Sequence, residues 1–200
     1  MKLEELSLKR LTIENLELAK IIDNDGFKPD IIVYIEKGGY IIGRDLSNYF
    51  SVIAIGIHAN RKGNKIKKFL MPIAVHLPRF ICNYLRKIEL KSSIHTMSKE
   101  RNVFFSKMIE ANIFKSVSKI LIVDDSVDTG YSIKFVRKKL EEMFVNVKDI
   151  RVAALNVWTK SFSVVNTDYY LWKDTIMVTP MSKDSKEYKI FLKLYDEKKE

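Results

Sequence analysis

Asp124 and Asp125 stand side by side after an unbroken apolar run, Ile120–Val123, and lead directly into Ser126-Val127-Asp128-Thr129-Gly130-Tyr131-Ser132. Each residue type has a chemical use. Adjacent carboxylates accept hydrogen bonds from a vicinal diol, or hold a hard divalent cation that does so. The backbone N–H groups from Val127 to Ser132, with the hydroxyls of Thr129 and Ser132, can wrap a phosphate dianion. Gly130 lets the chain turn and approach it closely. A phosphorylated sugar with two free hydroxyls satisfies both halves at once.

A second anion signal lies upstream in Glu36-Lys37-Gly38-Gly39-Tyr40. Paired glycines at a strand-to-helix junction free backbone donors to approach an anion, and Lys37 adds a point charge. Taken alone, Lys-Gly-Gly is more simply a tight turn. Its weight comes from the acidic pair that follows it in the chain.

Residues 120–132, Ile-Leu-Ile-Val-Asp-Asp-Ser-Val-Asp-Thr-Gly-Tyr-Ser, resemble by residue class the 5-phosphoribosyl-1-pyrophosphate (PRPP) motif of the type I phosphoribosyltransferases. The resemblance implies that Asp124 and Asp125 read the ribose hydroxyls or their metal. It also implies that Asp128, Thr129, Gly130, Tyr131 and Ser132 bind the 5′-phosphate. Lys37, Gly38 and Gly39 are similar to the family's pyrophosphate loop, and Lys-Gly-Gly-Tyr is the form of its hypoxanthine–guanine branch. Phe27–Val33 resembles the strand approach of the xanthine and guanine relatives. A non-proline cis peptide, common in that family before the lysine, would fall at Glu36–Lys37. Asp128 matches the purine branch's general acid/base; the competing reading is a purely structural Asx-type hydrogen bond. Mg²⁺ is the implied cofactor, and PRPP with a nucleobase, purine-like by resemblance, the implied substrates. Receiver domains open with a similar Ile-Leu-Ile-Val-Asp-Asp. They need a phosphoacceptor Asp ending a later strand, however, and Ile150–Val157 ends without an acid.

The base-binding end departs from the pattern. The family lysine that bonds a purine 6-oxo group would align with Trp158, while Lys160 lies two residues on. The stacking aromatic would align with Ile176, beside Met177. Trp158, Lys160, Ile176 and Met177 are therefore the candidate base pocket, with its specificity open. A loop over residues 58–68, carrying Arg61, Lys62 and Lys65, corresponds to the family's mobile pyrophosphate cover; a solvated basic loop is the equal alternative.

These groups need a scaffold. The apolar runs Ile31–Ile35, Val52–His58, Ile120–Val123 and Ile150–Val157 predict strands, the first and third buried on both faces. Spacing of Ile133, Val136, Leu140 and Met143 predicts a helix over Ile133–Met143, and Ile41–Phe50 predicts another. Thr12 is the expected N-cap of a helix running to about Asp23, its inner face formed by Ile13, Leu16, Ala19 and Ile22. Gly26 is expected to end it. Between 69 and 118 the chain exceeds the family's length, and a helical insertion is expected, with helices over 79–90 and 98–114. The two ends, about 1–11 and 158–200, would form a small hood, with a terminal helix near Tyr188–Tyr195. The expectation is one α/β domain with a mostly parallel sheet flanked by helices.

Two hundred residues, 46% apolar and 30% charged, suit a single globular domain with a substantial core. Cys82, the one cysteine, cannot form an intrachain disulfide, and no secretory leader pattern opens the sequence, so a reducing cytoplasm is expected. No apolar run is long enough to span a bilayer. A homodimer or larger assembly is expected. The net charge of +10 is concentrated in residues 51–120, which hold 14 Lys and Arg against 3 Asp and Glu. That segment keeps open a second function class, a PRPP- or nucleotide-sensing regulator of the same fold that binds nucleic acid without catalysis.

Overall fold

The computed structural model describes residues 2–61, 101–107 and 113–197. Among the described residues six strands form one sheet in the order β4-β3-β2-β5-β6-β7. They are β2 (Ile31–Ile35), β3 (Ile53–Arg61), β4 (Arg101–Phe105), β5 (Lys119–Val127), β6 (Asp149–Val157) and β7 (Tyr169–Lys173). All neighbours run parallel except β3 and β4. The near-continuous apolar sequences of β2 and β5 follow from this central position, because both faces of a parallel sheet are covered. Asp30 fixes their register: its Oδ2 accepts the Ser118 and Lys119 N–H groups, both at 2.8 Å.

Alternate residues of the central strands enter two cores. Ile32, Tyr34, Leu121 and Val123 pack against helices α1 (Leu8–Asn24), α2 (Tyr40–Phe50) and the C-terminal helix α5 (Tyr188–Glu197). Ile31, Val33, Ile120 and Ile122 meet helix α4 (Tyr131–Met143) through Ile133, Val136 and Leu140. Each of these three contributes about 1.5–3 kcal/mol by leaving water, so the apolar stripe, not local propensity, holds α4 in place. Two strands from distant parts of the chain, β1 (Leu3–Glu5) and β8 (Ile176–Val178), pair in a separate parallel ladder.

Several local expectations are corrected. The first helix begins at Leu8, and its cap is Ser7, whose Oγ accepts the Arg10 N–H at 3.2 Å. Thr12 lies inside the helix with its hydroxyl on Leu8 O. The buried stripe is Leu11, Asn15, Leu18, Ala19 and Ile22, whereas Ile13 and Leu16 face solvent. Asn15 disguises that stripe: its amide nitrogen donates to Asp45 Oδ2 at 2.8 Å, which gives the donor half of a polar side chain a partner at a core position. Within the expected 98–114 helix, Arg101–Phe105 is instead an edge strand antiparallel to β3, and the described helical turn α3 covers only Ile113–Ser116. The expected helix over 79–90 lies outside the described residues. Strand β3 runs on to Arg61, which pairs with Arg101, so residues 58–61 are strand and not loop. Lys62 and Lys65 lie outside the described residues. Among the described residues every peptide is trans, Glu36–Lys37 included; Lys37 takes the left-handed region at φ 71°. No helix among the described residues is long and apolar enough to cross a membrane.

Candidate active site

The carboxyl ends of β2 and β5 lie side by side at the middle of the sheet, with Tyr34 paired to Val123. The two turns that leave these strands must therefore meet. The Lys37-Gly38-Gly39 turn bridges β2 and α2, and it lies directly on the acidic pair. A Cβ on Gly38 would fall 2.6 Å from Asp125 Oδ1 and 2.9 Å from Asp124 Oδ1. No side chain fits there, which accounts for the residue. Lys37 itself is exposed at the head of the turn.

The acidic pair does not end its strand, as the apolar run alone implied. Strand β5 continues to Val127, with Asp124 opposite Ala154 on β6. Asp124 Oδ1 accepts the Asp125 N–H at 2.9 Å, and Thr179 Oγ1 stands 3.4 Å from Asp125 Oδ2. Burial raises the affinity of both carboxyls for a proton. Asp124 is pushed well above the ordinary carboxylate range by desolvation and then by the charge of Asp125. Asp125 is raised by desolvation and then by the charge of Asp128. The charges of these neighbouring acids thus oppose one another's ionisation.

Asp128, Thr129 and Gly130 form the turn into α4. Gly130 is the N-cap at φ 76°, and a Cβ there would crowd Val165 Cγ1 at 2.8 Å as well as strain the backbone. Among the described residues no side chain caps α4. The first N–H groups of that helix are thus aimed past Asp128–Ser132 toward the carboxyl edge of the sheet, the usual setting for a bound phosphate. Thr129, Tyr131 and Ser132 are partly exposed around it. Ser126 Oγ donates to Asp128 Oδ1 at 2.9 Å.

The remaining candidates are less closely gathered. Trp158 follows β6 directly, and Lys160 Nζ lies 5.9 Å from its ring centroid in a cation–π arrangement. Asp174 ties this segment to the β7–β8 turn by accepting the Thr159 N–H at 2.8 Å and the Thr159 hydroxyl at 2.6 Å. These two bonds hold the Asp174 carboxyl below its ordinary pKa. Ile176 is 2% exposed on β8, with Met177 partly exposed beside it.

Residue patterns alone passed over three groups here. Thr179 reaches the acidic pair from the far end of the chain, and it carries no local signal. Glu36 accepts hydrogen bonds from Ser106 and from Tyr195 on α5, anchoring the residue before Lys37. Ser126 and the fully buried Asn156 face each other in the β5–β6 register. Their signal was legible, as polar residues interrupting strands otherwise apolar.

Comparison with known proteins agrees with this fold. The phosphoribosyl transferase domain family matches residues 6–174. The structure superposes on the purine phosphoribosyltransferase of Pyrococcus horikoshii Ot3 with a TM-score of 0.61 at 18% identity, covering 92% of this chain and 95% of that one. The Helicobacter pylori xanthine-guanine-hypoxanthine phosphoribosyltransferase gives 0.61 at 19%, over 94% and 99%. A Neisseria gonorrhoeae protein solved with bound ppGpp gives 0.60 at 15%, over 98% and 97%. At these identities the likeness establishes the fold. A search of the curated proteins finds no match. With a family match that spans most of its length, this chain belongs to the phosphoribosyl transferase domain family.

Proposed function

We propose that the protein transfers the 5-phosphoribosyl group from PRPP to a ring nitrogen of a nucleobase, purine-like in class, and releases pyrophosphate. One observation carries the reading: the Lys37-Gly38-Gly39 turn, the Asp124–Asp125 pair and the uncapped start of α4 converge on the same sheet edge. That edge thus offers a diol acceptor between two anion cradles, which is the charge pattern of PRPP.

In this reading Asp124 and Asp125 hold the ribose hydroxyls, and Asp128–Ser132 hold the 5′-phosphate. Lys37 and the Gly38–Gly39 backbone receive the pyrophosphate as the anomeric bond breaks. Asp128 takes the proton from the acceptor nitrogen as the new C–N bond forms. Trp158 and Lys160 offer the acceptor an aromatic face and a cation, while Ile176 and Met177 close that end. Arg61, Lys62 and Lys65 are proposed to face the pyrophosphate. The donor set suits Mg²⁺, which prefers one or two carboxylates plus substrate oxygens, and the mutually repelling acids gain from its charge. When bound, Mg²⁺ neutralises the departing pyrophosphate. A homodimer or larger assembly in the cytoplasm is part of the same proposal.

The decisive experiment is a pyrophosphate-release screen with PRPP, Mg²⁺ and hypoxanthine, guanine, xanthine, adenine, uracil and orotate. Release with at least one base supports transfer, and none with any base overturns it. A nucleotide-sensing regulator is the second reading, favoured by the net charge of residues 51–120. It requires retention of nucleic acid that weakens steeply with salt, and a gel shift without retention at low salt eliminates it.

A further inference from the structure

The catalytic proposal leaves two neighbouring polar groups unused, the partly exposed Ser126 and the buried Asn156. They lie opposite each other on neighbouring parallel strands, and Asn156 is 0% exposed. Their contacts form a directed chain. The Thr175 N–H donates to Asn156 Oδ1 at 3.2 Å, Asn156 Nδ2 donates to Ser126 Oγ at 3.3 Å, and Ser126 Oγ donates to Asp128 Oδ1 at 2.9 Å.

The direction of this chain follows from chemistry at both ends. A backbone N–H can only donate, so the Asn156 carbonyl oxygen must face Thr175 and its NH₂ must face Ser126. The Ser126 hydroxyl has one proton. With Asn156 donating to its oxygen, that proton goes to Asp128 Oδ1. Oδ1 is thereby held as an acceptor, and Oδ2 is the oxygen left for proton exchange. Thr175 immediately precedes Ile176 and Met177, at the acceptor end of the site. The chain therefore links the β7–β8 turn to the carboxylate through the interior of the sheet.

We propose that Asn156 and Ser126 are positioning residues that hold Asp128 by Oδ1 and present Oδ2 to the acceptor nitrogen. This inference rests on the transferase reading. Small misplacements of a reacting group cost catalysis heavily without disturbing substrate that is bound elsewhere. The effect should thus fall on turnover and spare the PRPP end.

The test uses the full chain with a base that turns over in the screen. Ser126→Ala is expected to lower kcat about tenfold while the PRPP Kd from calorimetry and the Tm stay near wild type. Ser126→Thr, which keeps the hydroxyl, is expected to restore kcat to within about twofold. Asn156→Ala should lower kcat as Ser126→Ala does, with a lower Tm because the buried Thr175 N–H loses its acceptor, and the kcat of the double variant should be no worse than that of either, as expected of residues acting in series. An undiminished kcat in Ser126→Ala overturns the inference and leaves the transferase reading standing. Parallel losses of kcat, PRPP affinity and Tm in Ser126→Ala, unrescued by threonine, also overturn it. A wild-type chain inactive with every base overturns both.

Discussion

Gly38 and Asp125 are in such close apposition that the carboxylate occupies the space a side chain on residue 38 would need, 2.6 Å from the Cβ position to Oδ1. A turn and a strand separated by more than eighty residues thus depend on one hydrogen atom in place of a methyl group. Gly38→Ala must displace the Asp125 carboxyl or the turn itself. The affinity for PRPP with Mg²⁺ should fall by about tenfold, or ~1.4 kcal/mol. Titration calorimetry checks this, and an unchanged Kd would separate the turn from the acidic pair in function.

Asp128→Asn keeps a carbonyl oxygen to accept the Ser126 hydroxyl but cannot take a proton. Turnover should drop by about tenfold or more, with PRPP affinity little changed. Steady-state pyrophosphate release beside calorimetry separates the two effects. Unchanged turnover would leave Asp128 a purely structural residue of the turn.

Charge repulsion in the acidic pair gives a prediction of opposite sign for stability and binding. Asp125→Asn removes one of the crowded carboxylates that burial already disfavours. Without metal, the variant should melt about 2–4 °C above wild type, the shift expected for ~1 kcal/mol in a chain of this size. Mg²⁺ with PRPP should raise the Tm of wild type and barely move that of the variant. Scanning calorimetry in chelator and in Mg²⁺ tests both halves.

The Thr159–Asp174 contact has a defined pH signature. Its carboxyl is held below the ordinary value of 3.8 by the Thr159 hydroxyl and N–H. The folded pKa is depressed, so its contribution to stability is present above pH 3.8 and is lost as pH falls through the depressed value. Thr159→Val removes the hydroxyl bond. In an NMR titration Asp174 should then move up toward 3.8, and the stability difference between the two proteins should close in acid.

Trp158 and Lys160 are proposed to bear on the acceptor alone. Trp158→Ala should raise the acceptor KM by about tenfold, in keeping with the ~1–3 kcal/mol of base stacking on an aromatic ring, with PRPP affinity unchanged. Equal loss of PRPP affinity would move Trp158 out of the acceptor pocket.

Much of the site was legible because it is written in contiguous residues. The apolar run of β5, the acids inside it, Gly130 and the spacing of α4 follow local rules of strand burial and helix periodicity. Where local rules misled, a distant partner was responsible. Asn15 is buried and donates its amide NH₂ to Asp45, and this polar residue on the core face moved the apparent apolar face of α1 toward Ile13 and Leu16. Arg101–Phe105 lies in a stretch whose apolar spacing suggests a helix, but it gains a full ladder against β3.

The chain's own order of residues determined a glycine turn into a helix, an acidic pair and a lysine-glycine turn, because each is written in a contiguous stretch that local rules can read. Only the tertiary structure decided that these pieces share one edge. Parallel pairing of β2 with β5 aligns their carboxyl ends, and that pairing is non-local. It also decided that Thr179 stands at the acids and that Ser126 and Asn156 lead to Asp128, because a hydrogen bond across a sheet depends on register that no single stretch encodes.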